Sequence, residues 1–167
     1  AGKPYADPAE LAWRVVAAAR TAGLGLTLLP VFYAHAGFGG SAPTAGQKRF
    51  VHTTYTFTHL YERLRQGADR HGYVLGVAPH SLRAVTPEEL AALVSLDGSG
   101  PVHIHAAEQV QEVDDCLAWS GVRPVEWLLD PADVDARWCL IHATHATPAE
   151  LARLAGMLEA TGADLLE

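Results

Sequence analysis

Val102-His103-Ile104-His105-Ala106-Ala107-Glu108 is a short apolar run that ends in reactive side chains, and the rest of the chain reads outward from it. Three other runs end the same way. Leu26-Thr27-Leu28-Leu29-Pro30-Val31-Phe32 leads to Tyr33 and His35. Val74-Leu75-Gly76-Val77-Ala78-Pro79 leads to His80 and Arg83, and Trp138-Cys139-Leu140-Ile141 leads to His142 and His145. Apolar runs of this length, separated by helical patterns, read as buried parallel strands. Reactive groups just past the C-terminal ends of such strands mark the active sites of α/β barrels. One such ending is noise; this series describes a site in an α/β fold.

A recurring helix opening supports the alternation of strand and helix. Asp7-Pro8-Ala9-Glu10, Thr86-Pro87-Glu88-Glu89 and Thr147-Pro148-Ala149-Glu150 each put an Asp or Thr N-cap before Pro at the first helical position and Glu at the third. The first opens a helix with Leu11, Val15 and Ala18 on one face, ending near Gly23. The second carries Leu90, Leu93 and Val94, and the third Leu151, Leu154 and Leu158. Phe57, Leu60, Tyr61 and Leu64 mark another helix, and Val113, Leu117 and Val125 to Leu129 mark helical cover after the third strand. The spacing is too uneven for a solenoid, and the alternation implies right-handed parallel crossovers. Gly37 to Gly46 is the one long irregular stretch, either an active-site lid or a plain surface excursion.

Composition excludes several classes. At 167 residues the chain can build one domain with a real core. Nearly half of it is apolar (49%), yet no stretch has the unbroken length of a membrane helix, and no export signal is visible. A net charge of -7, with no Arg/Lys stripe, argues against a nucleic-acid partner. Cys116 and Cys139 form no CxxC pair and read as reduced core thiols, so a cytoplasmic protein is expected. The chain opens without an initiator Met and closes on the apolar 163–167, which reads as a strand beginning. Residues 1–167 are therefore expected to be the middle of a longer protein.

The chemistry concentrates in His105-Ala106-Ala107-Glu108. Neutral imidazole is a good zinc ligand, and a carboxylate beside it can shuttle protons. His142, from the next strand tip, could hold a water for attack. An HxxE string alone recurs by chance; its weight comes from His142 lying in register on the following strand. His103 and His105 face the same way on a strand and so also fit a paired-ligand reading. The Glu three residues after the second His favours His105 as a single ligand, leaving His103 structural. His52, His59 and His71 read as solvated helix or loop residues, and His35 and His145 as structural residues near the strand tips.

Four strings carry a family resemblance: Val-Ala-Pro-His-Ser-Leu-Arg (Val77 to Arg83), His-Ile-His-Ala-Ala-Glu-Gln (His103 to Gln109), Val-Asp-Asp-Cys-Leu-Ala-Trp-Ser-Gly (Val113 to Gly121) and Trp-Cys-Leu-Ile-His-Ala-Thr-His (Trp138 to His145). From about Pro4 to at least Gly162 the chain resembles the formimidoylglutamate deiminase family of the amidohydrolase superfamily. The HxxE and the following His are common to the superfamily; the Pro-His-Ser-Leu-Arg and Asp-Asp-Cys-Leu-Ala-Trp-Ser-Gly strings are far more specific. The resemblance implies a (β/α)8 TIM-type barrel with one catalytic Zn2+. It also implies hydrolysis of N-formimidoyl-L-glutamate to N-formyl-L-glutamate and ammonia, in histidine degradation.

By the same resemblance His105 is a zinc ligand of strand five, Glu108 the proton-shuttling carboxylate and His142 the strand-six group that polarises the attacking water. Tyr33, His80 and Arg83 resemble the substrate-binding groups of strands three and four. The substrate carries two carboxylates, and the guanidinium of Arg83 offers one of them a planar fork. The family's paired strand-one histidines, its strand-eight aspartate and its small β-domain have no counterpart here. The chain is thus expected to be the central part of the barrel, about strands three to six. Alone it should be inactive, short of zinc, and either self-associated through open strand edges or poorly soluble. A homodimer is expected of the full-length protein. Two other readings remain: an amidohydrolase deaminase acting on a heterocycle, which Arg83 disfavours, and a non-catalytic module.

Overall fold

The computed structural model describes residues 5–160 apart from 97, 131 and 133. The apolar segment 163–167 and the side chain of Leu158 lie outside the described residues. The first two apolar runs form four short strands: β1 (Thr27–Leu28), β2 (Val31–Phe32), β3 (Val74–Leu75) and β4 (Ala78–Pro79). The later runs form β5 (Val102–Ala106) and β6 (Trp138–His142).

Backbone bonds make these pieces one ladder. The N–H groups of Val74, Gly76, Ala78 and His80 donate in turn to the carbonyls of Leu26, Leu28, Pro30 and Phe32, at 3.0, 3.1, 3.0 and 3.0 Å. Every second N–H of one strand meets every second carbonyl of the other, as parallel pairing requires. Pro30 has no N–H to return, which interrupts the first run between β1 and β2. On the other side Val77 bonds Pro101 and His103, and His105 N donates to His80 O at 3.1 Å. β5 and β6 pair in parallel from Val102↔Trp138 to Ala106↔His142. The four apolar runs lie side by side in sequence order, all parallel, as the alternation of runs and helices predicts. Gly76 is required where the second strand passes the third, since a Cβ there would sit 2.2 Å from the Pro101 carbonyl oxygen.

The helices are α1 (Glu10–Ala22), α2 (Thr54–His71), α3 (Pro87–Val94), α4 (Val110–Ser120), α5 (Pro124–Leu129) and α6 (Pro148–Ala160). One face of the sheet is packed under them. Phe32, Val77, Val102, Ile104 and Ala106 are buried with Phe57, Tyr61 and Leu64 of α2, Leu90 and Leu93 of α3, and Val125 and Leu128 of α5. Phe32 and Phe57 meet edge to face at 5.4 Å. Alternation along β5 leaves His103 and His105 on the opposite, open face. Among the described residues no helix is long and apolar enough to cross a membrane.

The expected caps hold at two sites and shift at the third. Thr86 with Glu89 and Thr147 with Glu150 make reciprocal capping boxes. α1 instead starts at Glu10 with Ala9 at its N-cap, because the Asp7 carboxylate turns back to Ala9 N–H and to the Trp13 indole. Its buried face is also corrected: Val16 is buried, while Leu11 and Val15 are 61% and 49% exposed. Docking on α2 selects that face, with the Trp13 ring lying over Gly67. Cys116 is buried as expected, but Cys139 is exposed because it points with His103 to the open face.

Candidate active site

Parallel register brings one ring from each strand end to the same level. Tyr33 follows β2, His80 follows β4, His105 lies in β5 and His142 closes β6. Their rings form a row, with centroids 5.1 Å apart from Tyr33 to His80, 5.1 Å from His80 to His105, and 5.4 Å from His105 to His142. Four of the residues singled out in the sequence are thus neighbours, though 109 positions separate the first from the last (142 - 33).

His142 joins the row against its strand parity. It pairs with Ala106, whose side chain faces the core, and should follow Trp138 and Leu140 to that side. Its φ of 72° breaks the alternation. The Ala143 N–H donates to both Ala106 O at 3.0 Å and Ile141 O at 3.1 Å, closing a three-residue turn centred on His142. Such a left-handed turn is unfavourable for a residue with a Cβ and marks strained functional positions. Here it swings the imidazole out beside His105.

The His105 tautomer is set by its partner. A backbone carbonyl only accepts, so Nδ1 carries the proton and donates to His80 O at 2.8 Å. In the neutral ring Nε2 then has the free lone pair that a metal ligand needs. Glu108 follows a turn in which Ala107 takes φ 51°. Its Oε1 lies 3.8 Å from His142 Nε2, both side chains being partly open to solvent. His105 fits a zinc ligand in protonation and direction, but among the described residues no three His, Cys, Asp or Glu side chains gather as a metal cage.

A hollow of about 500 Å³ opens at the Tyr33 end of the row, lined also by Gln47, Arg49, His52 and His80. The sequence reading placed His52 in solvent; instead it is half-buried, edge-on to Phe57, and burial holds its imidazole below the ordinary value. Burial does the same to His80, with the Arg83 charge, and that of His105 whenever its ring is protonated, adding to it and the Glu108 carboxylate opposing. Arg83 stands in the turn after β4, and its Nε is buried without a hydrogen-bond partner. A guanidinium N–H left unpaired out of water is costly unless a ligand completes it.

Gln47 escaped the sequence reading. It lies in the connection between β2 and α2, in which Phe38 stacks on Trp119 at 5.4 Å. Thr44 N–H and Oγ1–H both donate to Gln47 Oε1, at 2.8 and 2.9 Å, which turns Nε2 toward the Tyr33 hydroxyl at 2.7 Å. Tyr33 therefore accepts from Gln47 and keeps its own proton for another partner. Glu112, also missed, accepts from the Ala107 and Glu108 N–H groups at 3.0 and 3.1 Å. Its signal was legible, since a Glu at the third helical position recurs at the other openings. His35 is structural as expected, pairing with Glu89 at 2.9 Å.

No family model matches the chain. Over 155 residues, 92% of this chain, it is 54% identical to formimidoylglutamate deiminase of Pseudomonas aeruginosa, and it covers 34% of that protein. Its backbone superimposes on an amidohydrolase from Brucella melitensis with TM-score 0.90 and 59% identity, covering 93% of this chain and 35% of that one. An adenosine deaminase from Xanthomonas campestris, solved with bound zinc, matches with TM-score 0.70 and 25% identity, covering 85% of this chain and 30% of that one. The chain spans about a third of the length of these relatives. By sequence and by backbone this chain is similar over most of its length to formimidoylglutamate deiminase and to an amidohydrolase, matching about a third of each.

Proposed function

We propose that the protein carrying this chain hydrolyses N-formimidoyl-L-glutamate to N-formyl-L-glutamate and ammonia, and that the chain supplies strands three to six of its (β/α)8 barrel. The observation that carries the reading is the row Tyr33–His80–His105–His142 with the Glu108 carboxylate beside His142. The likeness to the deiminase supports it. His105 is the residue of this chain that would hold a zinc ion, which when bound would supply Lewis acidity.

This chain's own residues do the positioning and the proton transfer. His142 orients a water toward the formimidoyl carbon. Glu108 takes a proton from that water as its oxygen bonds to carbon, then passes it to the terminal nitrogen. The C–N bond breaks, both water protons end on the nitrogen, and ammonia leaves while the oxygen remains as the formyl oxygen. Arg83, His80 and Tyr33 bind the glutamate portion, and a guanidinium suits a carboxylate better than a neutral heterocycle. The reaction belongs to histidine degradation, in the cytoplasm, with the full-length protein a homodimer. Alone, the 167-residue chain should be inactive and without stoichiometric zinc.

The test is Glu108→Gln in the complete protein loaded with zinc. Ammonia release from formimidoylglutamate should fall by about 10²–10⁴-fold while zinc content is kept. A near-normal kcat would remove Glu108 from the mechanism, and no turnover of this substrate by the unmodified protein would remove the substrate.

A further inference from the structure

Glu112 is only 3% exposed, and among the described residues its carboxylate forms no ion pair. A buried carboxylate without a cation is costly and persists only when its lone pairs are filled. Its partners are two backbone amides of a single turn. Oε1 accepts from Ala107 N–H at 3.0 Å and Oε2 from Glu108 N–H at 3.1 Å. Glu112 stands at the third position of α4, where the helix dipole also favours negative charge.

An ordinary capping box would return this carboxylate to the N-cap, Gln109, which has no side-chain cap of its own. Here it reaches past Gln109 to the two residues before it. One of them, Ala107, is held in the left-handed region at φ 51°, where a Cβ is disfavoured. The other is Glu108 itself. With its N–H tied down and the preceding residue locked, the direction in which the Glu108 side chain leaves the backbone is set, and Oε1 ends 3.8 Å from His142 Nε2.

We propose that Glu112 is a positioning residue that holds the strained Ala107–Glu108 turn and so aims the Glu108 carboxylate at the reacting atoms. The inference rests on the reading of Glu108 as the proton shuttle. Glu112→Gln keeps size and shape but replaces one acceptor by an NH₂ that confronts an N–H. The shuttle then loses its fixed direction while substrate-binding groups on the neighbouring strands stay in place. A misplacement of this kind lowers kcat by roughly 10–10²-fold with little change in KM.

The experiment measures single-turnover ammonia release and KM in the complete zinc-loaded protein for wild type, Glu108→Gln, Glu112→Gln and the double variant. The expected result is a lower kcat and unchanged KM for Glu112→Gln, with the double variant no slower than Glu108→Gln alone. Placement has no value once the shuttle is gone, whereas a general loss of folded protein would slow both backgrounds by the same factor. An equal further loss in the double variant, or a kcat within twofold of wild type for Glu112→Gln, overturns the positioning role. If Glu108→Gln is itself fully active, the shuttle reading fails first, and that outcome is distinct. If Glu112→Gln does not fold, amide exchange in the unmodified protein decides: the Ala107 and Glu108 amides should be protected, and rapid exchange at both overturns the proposal.

Discussion

His105 donates its Nδ1–H to the backbone carbonyl of His80 at 2.8 Å, so one strand tip dictates the protonation of the next. In the neutral ring the bond spends the one ring proton on the protein and turns the Nε2 lone pair away from that contact. Parallel pairing delivers it at no added cost, because His105 N donates to the same carbonyl.

His105→Asn tests that arrangement. The Asn amide can still donate to His80 O, so the complete protein should fold. It has no Nε2 equivalent, so zinc content after dialysis should drop at least about tenfold. Stoichiometric zinc in a well-folded variant would show that His105 is not a ligand.

Arg83→Met should separate substrates by charge. Losing a charged hydrogen bond in a closed site costs about 1.5–3 kcal/mol, a fall in kcat/KM of roughly 10–150-fold for formimidoylglutamate. A formamidine substrate lacking carboxylates should be affected within about twofold on the same argument. Equal losses on both would make Arg83 a structural residue.

Gln47 and Tyr33 should behave as one unit. In Gln47→Glu the side chain becomes acceptor-only, so the Tyr33 proton turns toward residue 47 and is withdrawn from the substrate. KM should rise as it does in Tyr33→Phe, by about 5–15-fold for a hydrogen bond of ordinary strength, with kcat little changed. The two changes combined should cost much less than their product. Full multiplication of the effects would uncouple the loop from Tyr33.

The thiols give a pH prediction remote from the site. Burial pushes the Cys116 thiol up from 9.0 to about 11. The unfolded chain releases that proton near its ordinary value while the folded chain retains it. The stability linked to Cys116 is therefore fully present below pH 9 and is lost as pH rises toward about 11, by at most about 1.4 kcal/mol per pH unit. Relative to Cys116→Ala, the wild-type chain should become steadily less stable over that window in urea melts. A difference between them that does not change with pH would contradict it. At neutral pH a thiol reagent should modify exposed Cys139 and spare Cys116 until the protein unfolds.

Much of the architecture was legible because it is encoded by near neighbours. The apolar runs, the Thr-Pro-x-Glu openings at Thr86 and Thr147, and the Gly23 end of α1 each specify their element within a few residues. Strand tips follow from the strands, so Tyr33, His80, His105 and His142 could be named before their rings were seen to form a row. The HxxE spacing likewise placed Glu108 just beyond β5.

Other features belong to the tertiary structure alone. The packing of α1 on α2 decided that Val16, rather than Leu11 and Val15, is buried, since apolar residues lie on more than one side of that helix. Strand parity would have sent His142 into the core; the left-handed turn through Ala143 brings it out. Gln47 reaches Tyr33, and His52 enters the hollow, only because the loop after β2 folds back on its own strand. Periodicity carries information about which face a residue shares with its neighbours. It carries none about turns that break the period or about partners brought together by packing, and those place His142, Gln47 and His52.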